Sequence, residues 1–175
     1  MSIVPFIHTH EGTGVLRRVA PPKGKAAHRG VLLTAQAQRD FDDPHSVVNI
    51  LGSKASVQVM LERWISNGVM PVRMNGTKPG AYLARLDAPP PDVWEFRITE
   101  PVNQIRVFLR FARPDLIVVT NMSTRRLLGK KGSVEWQRAM AKSVSEWDSL
   151  FPGVSPHQGV NIYDFVTKNY RQVGR

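Results

Sequence analysis

The segment from residue 93 to residue 121 limits the fold of this chain more than any other part of the sequence. Its first two stretches, VWEFRI and QIRVFLRF, alternate apolar and polar residues, as strands with one buried face do. The third stretch, LIVVTN, is continuously apolar, which is typical of a central strand. The turn-forming sequences EPVN and ARPD separate the three stretches. The segment therefore predicts an antiparallel meander that buries Trp94, Phe96 and Ile98.

The sequence segments before and after this meander both show the periodicity of amphipathic helices. Upstream, DDPHSVVNILG predicts a short helix that ends at Gly52, and SKASVQVMLERWISNG predicts a longer one between a Ser53 cap and Gly68. Downstream, a helix is predicted from a cap at Ser133 to about Leu150. The apolar faces of the two longer helices comprise Val57, Met60, Leu61, Trp64 and Ile65 in the first, and Trp136, Met140, Ser143, Val144 and Trp147 in the second.

This order of elements predicts an α+β fold. The N-terminal helices and the C-terminal helix are expected to pack on one face of a small antiparallel sheet. The other face is then expected to be open to solvent. It carries Arg97, Arg106 and Arg110, which alternate with the buried residues of their strands.

The order also divides the chain into three regions. Residues 1–43 are predicted to be an N-terminal extension or arm, because RRVAPPKGKAAHRG is basic and rich in Pro and Gly. Residues 44–150 form the main domain, and residues 151–175 form a C-terminal tail. Short apolar pieces at 3–7, 31–33 and 82–86 are candidates for additional strands.

Composition excludes several classes of chemistry. The chain of 175 residues contains no cysteine, which rules out disulfides, thiolate catalysis, iron–sulfur clusters and cysteine zinc sites. No apolar run approaches the roughly 20 residues of a membrane span, and the N-terminus lacks a signal-peptide pattern. The sequence predicts a soluble, cytoplasmic protein.

Positive charge is concentrated in one part of the chain. The formal net charge is +10, and residues 96–142 hold ten Lys and Arg residues against three Asp and Glu residues. Such localisation favours a binding site over a uniformly basic surface. Nucleic acid is the first candidate partner, followed by an anionic membrane and an acidic protein.

The ordered set of motifs resembles a known family. VWEFRI, a turn, QIRVFLRF, a turn, LIVVTN, a basic linker and a helix that begins SVEWQRAMAKSVSEW together resemble the RelE/ParE superfamily of bacterial and phage toxins. Within that superfamily the HigB-like, host-inhibition branch is the most similar, and the resemblance covers residues 44–150. It implies a RelE-like fold.

The resemblance also implies a function. Toxins of type II toxin–antitoxin systems in this superfamily act as mRNA interferases, which enter the A site of the small ribosomal subunit and cut mRNA. A cognate antitoxin neutralises them, and oligomers are expected to form through that antitoxin. The implied partners are therefore mRNA, the ribosome and an antitoxin, with no membrane, no cofactor and no metal.

The sequence departs from the family pattern in two respects. It has about 40 extra residues in front and a tail of about 25. Arg125 and Arg126, rather than a lysine pair, directly follow the apolar strand, and Lys130 and Lys131 come later. Because the superfamily also includes gyrase inhibitors, the alternative is a non-catalytic basic protein of the same fold, either a gyrase inhibitor or a nucleic-acid-binding module.

Metal-independent RNA cleavage requires proton transfer and stabilisation of a highly charged phosphorane. Arginine remains protonated, and its planar fork suits phosphate, so Arg97, Arg106 and Arg110 are predicted to bind and stabilise charge. Lys131 completes the predicted catalytic set, as a charge stabiliser or as a base where neighbouring cations favour its neutral form. The residues predicted to bind RNA are Arg125, Arg126, Lys130, Lys78 and Tyr82.

Two further groups of polar residues have weaker patterns. His8, His10 and Glu11 have metal-binding side chains, but no further ligand lies near them in the sequence. His157, Tyr163 and Tyr170 in the tail are candidates for an acid, a base or a base-stacking group, and no motif selects among them.

Overall fold

The computed structural model describes residues 2–50, 52–74, 80–86, 92–99 and 104–173. These residues form six α-helices and one eight-stranded sheet. The helices are Val4–Gly12 (α1), Ala35–Asp42 (α2), Val47–Ile50 (α3), Lys54–Ile65 (α4), Arg125–Leu128 (α5) and Val134–Leu150 (α6). The strands are Leu16–Arg18 (β1), Gly30–Thr34 (β2), Met70–Arg73 (β3), Leu83–Leu86 (β4), Val93–Ile98 (β5), Ile105–Arg113 (β6), Leu116–Thr124 (β7) and Tyr170–Gln172 (β8). A 3₁₀ helix spans Ile162–Asp164.

The sheet is mixed, with the strand order β1-β2-β7-β6-β5-β4-β3-β8. The pairs β2–β7, β3–β4 and β3–β8 are parallel, and the remaining pairs are antiparallel. The combination of helices with a sheet agrees with the predicted fold class, but the prediction of a small antiparallel sheet is wrong. The sheet is larger because β2, from the predicted arm, pairs with the β7 edge of the meander. At the other edge, β4, which overlaps the candidate strand at 82–86, pairs with β5 and is followed by the short strands β3 and β8.

The regions outside the predicted main domain supply several of these elements. Residues 16–34, predicted as part of an arm, contribute β1 and β2, and β2 pairs directly with the central strand β7. The tail contributes β8 at the opposite edge of the sheet. The apolar piece at 3–7, a candidate strand, lies in α1, whose first turn contains Pro5.

The predicted meander is confirmed in β5, β6 and β7. Trp94 pairs with Leu109 and Phe96 pairs with Val107 across the first two strands, and all four are fully buried. The sequence EPVN, predicted as the turn before β6, includes residues 100–103, which lie outside the described residues. The predicted helices α4 and α6 are also confirmed, and the Ser133 hydroxyl caps α6 by accepting a hydrogen bond from the Trp136 amide at 3.2 Å.

Helices cover both faces of the sheet, so the prediction of one open face is wrong. On one face, α4 packs against the apolar side chains of the meander. On the other face, α6 and α1 bury Trp147 and Phe151, and Trp136 packs against Phe108. Phe108 and Val118 make this face apolar enough to hold a helix, although arginines alternate with them. Across the described residues no helix is both long and apolar enough to cross a membrane.

Arg29 attaches the tail to the rest of the fold. Its guanidinium lies 4.7 Å from the ring centroid of Trp64 and donates to the backbone carbonyls of Lys168 and Asn169. Its Nε also lies 3.5 Å from a carboxylate oxygen of Asp115. These contacts hold the segment that leads into β8 beside the start of β3.

We expect Arg29→Met to lower the free energy of unfolding by about 2 to 4 kcal/mol. The substitution keeps an apolar stem over Trp64 but removes the hydrogen bonds to the Lys168 and Asn169 carbonyls and leaves Asp115 without this cation. Urea denaturation followed by circular dichroism measures the loss. Arg113→Met is the matched control, because Arg113 is exposed, and its effect is expected to stay within about 0.5 kcal/mol. Equal stability of the two variants would contradict the proposed attachment.

Candidate functional site

The fold gathers arginines around one buried carboxylate, that of Glu95 on β5. Side chains two residues apart on a strand share a face, which places Arg97 beside Glu95. Across the sheet, Arg106 on β6 pairs with Arg97. In the other direction Glu95 pairs with Ala84, which pairs with Arg73 on β3. Strand register therefore brings three arginines to the same region of one face.

The charges in this region do not balance. Glu95 is fully buried, and its two carboxylate oxygens lie 2.5 Å from Nε of Arg97 and 3.4 Å from Nε of Arg106. Arg73 interacts electrostatically with both Glu95 and Arg97. Among the described residues, the one carboxylate of Glu95 thus lies between the guanidinium groups of Arg97 and Arg106. Because like charges on paired strands repel, the arrangement attracts a further anion.

Burial shapes the electrostatics of the arginines. Removal from water lowers the pKa of Arg106, the Glu95 carboxylate raises it, and the positive charges of Arg97 and Arg125 lower it further. Burial likewise lowers the pKa of Arg73, as does the charge of Arg97, while Glu95 opposes both effects. Guanidinium groups remain protonated despite such shifts, so both side chains present a fixed positive charge with weakened hydration.

Arg125 is the fourth member of this group. It is the first residue of α5, whose N-terminus is capped by the hydroxyl of Thr124, and its backbone amide donates to the Gln104 carbonyl at 2.7 Å. Its half-buried guanidinium lies 5.3 Å from the ring centroid of Trp136. We call Arg73, Arg97, Arg106 and Arg125, together with Glu95, the arginine cluster.

Arg126 and Lys130, which are predicted to bind RNA, and Lys131, which is predicted to be catalytic, follow Arg125 in the chain. Arg126 in α5 and Lys130 and Lys131 in the turn before α6 are exposed. A buried group of cations at the end of β7 therefore continues into an exposed basic segment. Lys78, also predicted to bind RNA, lies outside the described residues.

Arg110 is separated from the arginine cluster. It shares a strand and a face with Arg106, but four residues of strand correspond to about 13 Å. Its guanidinium lies 5.3 Å from the ring centroid of Trp147. Burial lowers the pKa of Arg110, and the carboxylates of Asp148 and Asp92 raise it. These two carboxylates and Arg110 line a cavity of about 370 Å³ beside the tail, so Arg110 does not share a phosphate group with Arg106.

Tyr82 lies at the edge of the arginine cluster. Its carbonyl accepts a hydrogen bond from the Arg97 amide at 2.8 Å, so its backbone is directly beside β5. The guanidinium of Arg63, from α4, lies 5.0 Å from the centroid of its ring. Tyr82, Arg63 and Arg97 line one cleft of about 290 Å³ between α4 and the end of the sheet.

The remaining candidates make local contacts. Glu11 forms an ion pair with Arg18 at 2.7 Å, and His10 Nε2 lies 2.7 Å from the Leu150 carbonyl oxygen. Among the described residues, no group of three or more His, Cys, Asp or Glu side chains is arranged to hold a metal ion. In the tail, His157 Nε2 lies 2.8 Å from the Asp164 carbonyl oxygen, and Tyr163 is exposed.

No protein-family model matches this chain, and comparison with curated proteins and with solved structures gives no significant match. The side chains themselves limit what the arginine cluster can do. Guanidinium forks bind phosphate or carboxylate oxygens with two parallel hydrogen bonds and cannot accept a proton at neutral pH. The cluster is therefore suited to hold an anion and to stabilise added negative charge on it.

Glu95→Gln tests whether the arginine cluster binds an anion. Loss of the carboxylate leaves the guanidinium groups of Arg97 and Arg106 without the negative charge between them, and we expect the free energy of unfolding to fall by about 3 kcal/mol in chloride. Sulfate at the same ionic strength should recover a substantial part of that loss, because a bound anion replaces the missing charge. Chemical denaturation by urea in the two salts measures both effects.

Glu135→Gln is the control for this measurement. Glu135 is exposed in the first turn of α6, so its loss is expected to cost only a few tenths of a kcal/mol, equally in both salts. A Glu95→Gln variant that is destabilised to the same extent in sulfate and in chloride would rule out anion binding at this position.

Proposed function

We propose that this chain is a toxin that cleaves RNA, of the RelE type that its sequence resembles, and that the arginine cluster binds the phosphate at which the RNA is cut. The observation that carries the proposal is the excess of positive charge around Glu95. Within the described part of the chain, the buried guanidinium group of Arg106 and the half-buried group of Arg97 share a single carboxylate. Such an excess is costly in a protein without an anion to bind.

The same excess favours the transition state of RNA cleavage over its ground state. A phosphodiester carries one negative charge, and the phosphorane formed during cleavage carries about two. Fixed cations in a site with little water therefore stabilise the phosphorane more strongly than the substrate. Arg97, Arg106 and Arg125 are assigned this role, with Glu95 as a positioning residue that orients Arg97 and Arg106.

The bond changes follow from the chemistry of RNA. The 2′ oxygen forms a bond to phosphorus and loses its proton, while the bond from phosphorus to the 5′ oxygen breaks and that oxygen gains a proton. The products are a 2′,3′-cyclic phosphate and a 5′-hydroxyl end. Because arginine does not exchange protons, Lys131 is assigned the transfer from the 2′ oxygen to the 5′ oxygen.

The exposed basic segment supplies the proposed contacts with larger partners. Arg126 and Lys130 are proposed to neutralise phosphates of mRNA or of ribosomal RNA as the message enters the A site. The proposed site of action is the cytoplasm, and the proposed inhibitor is a cognate antitoxin whose acidic groups compete for the same cations.

One observation favours a second candidate, an RNA-binding protein without cleavage. Within the described part of the chain the arginine cluster contains no histidine, and its one carboxylate is fully buried between Arg97 and Arg106. The cluster thus offers strong binding of a phosphate but no proton-transfer group of its own. In that case the chain would inhibit translation by binding to RNA or to the ribosome, without cutting the RNA.

Cell-free translation with bacterial ribosomes distinguishes these functions. Purified wild-type protein, Arg97→Gln, Arg125→Gln and the control Arg39→Gln are added, and cut sites on the message are mapped by primer extension. We expect Arg97→Gln and Arg125→Gln each to slow cleavage about 100-fold or more, since each removes one stabilising group. Arg39 is exposed on α2, so Arg39→Gln removes the same charge away from the cluster and should cleave at the wild-type rate.

Binding of the variants to RNA is measured in parallel as a function of salt. RNA that stays intact while Arg97→Gln weakens binding and lowers the salt slope by about one would favour the second candidate. Intact RNA and no binding by the wild-type protein would overturn both. Induced expression in bacteria adds a simple check, because only a cleaving protein arrests growth while shortening translated messages.

A further inference from the structure

We propose that the cleft beside the arginine cluster binds the nucleobase next to the held phosphate and thereby selects the sequence at which the RNA is bound. This inference rests on the proposed binding of RNA but assigns a separate subsite. The cleft lies between α4 and the strand ends, and its volume is about 290 Å³. Its lining residues are Ala55, Ser56, Val59, Met60, Arg63, Tyr82, Arg97, Ile98 and Thr99.

The position of Arg97 links this cleft to the phosphate site. Arg97 lines the cleft, and its Nε lies 2.5 Å from Glu95 within the arginine cluster. A nucleobase and the adjacent phosphate are joined by one sugar, so their two subsites must be close neighbours. A single residue that belongs to both subsites meets that requirement.

The cleft also has the composition of a base-stacking site. The guanidinium of Arg63 lies 5.0 Å from the Tyr82 ring centroid, which provides a cation and an aromatic ring side by side. Arg63 is exposed, and single-stranded bases stack on guanidinium planes and on aromatic rings. Tyr82 is half-buried and packs against the core on one side, so part of its ring is left for a base.

The rest of the lining suits a flat, partly polar ligand. Val59 is 63% exposed on the outer turn of α4, and Met60 lies beneath it, so the wall formed by the helix is apolar. Ser56 and Thr99 supply hydroxyl groups that can exchange hydrogen bonds with the edge of a base. A purely ionic partner such as an acidic peptide would leave Val59 and Met60 without contacts.

The test uses short single-stranded RNA whose 2′-hydroxyls are replaced by 2′-methoxy groups, so that it binds without being cut. One set of strands carries an abasic site at successive positions, which removes a base and keeps every phosphate. For the wild-type protein, we expect one abasic position to weaken binding roughly 5- to 100-fold, as measured by fluorescence anisotropy. The other positions should have little effect.

Tyr82→Ala should weaken binding of the intact strand by a similar factor, and the abasic site should then cause no further loss. Tyr82→Phe, which keeps the ring, should bind like the wild type, and Arg63→Ala should reproduce part of the loss. The salt dependence should be unchanged in Tyr82→Ala, because no phosphate contact is removed. Val160→Ala is the control, since Val160 is 84% exposed in the tail and has no assigned role.

The outcomes separate this inference from the proposed function. If Arg97→Gln lowers the salt slope but every abasic strand binds as tightly as the intact one, the phosphate site stands and the base subsite is overturned. If the wild-type protein does not bind the intact strand, both are overturned. If Tyr82→Ala does not fold, the comparison of Arg63→Ala with Tyr82→Phe on intact and abasic strands decides the question.

Discussion

The buried carboxylate of Glu95 is the group on which the arrangement of this sheet depends. Arg73 and Arg106 are only 1% and 7% exposed, so water cannot balance their charges and a protein carboxylate must do so. Glu95 serves both arginines and Arg97 because adjacent strands place them in neighbouring rows of one face. A slip of one residue in β5 would move the carboxylate to the opposite face and leave Arg73 and Arg106 without it.

The elements predicted from sequence are those whose signal is local. An apolar pattern repeats over several turns or pleats in β5, β6, α4 and α6. The residues of these elements therefore indicate both the type of each element and its buried face. The strands β1 and β8 have three residues each, and the parallel partners of β2 and β8 lie far away in the chain. The apolar piece at 31–33, a candidate strand, lies in β2. Nothing local encodes the parallel pairing of β2 with β7, and an apolar helix face does not specify which side of a sheet it covers.

The candidate site was predictable to a similar extent. Alternation along β5 and β6 correctly assigned Arg97 and Arg106 to one face. It could not give the distances between the side chains on that face, and Arg110 lies in a separate cavity. Arg73 and Arg63 were missed, because Arg73 begins a segment rich in turn residues and Arg63 lies on the exposed side of a helix. Glu95 alternates with the buried residues of its strand, as the arginines do. One acidic residue among several arginines on the same face was the sequence feature that indicated a buried ion pair.

The pairing of β8 with β3 has a consequence for how the protein is made. β3 consists of residues 70–73, and its outer neighbour consists of residues 170–172. On the ribosome, the edge of β3 stays unpaired until nearly a hundred further residues have been added, and an unpaired edge is a template for aggregation. A chain that stops before residue 170 would keep that edge permanently. Completion of the sheet therefore requires the synthesis of residues 170–172.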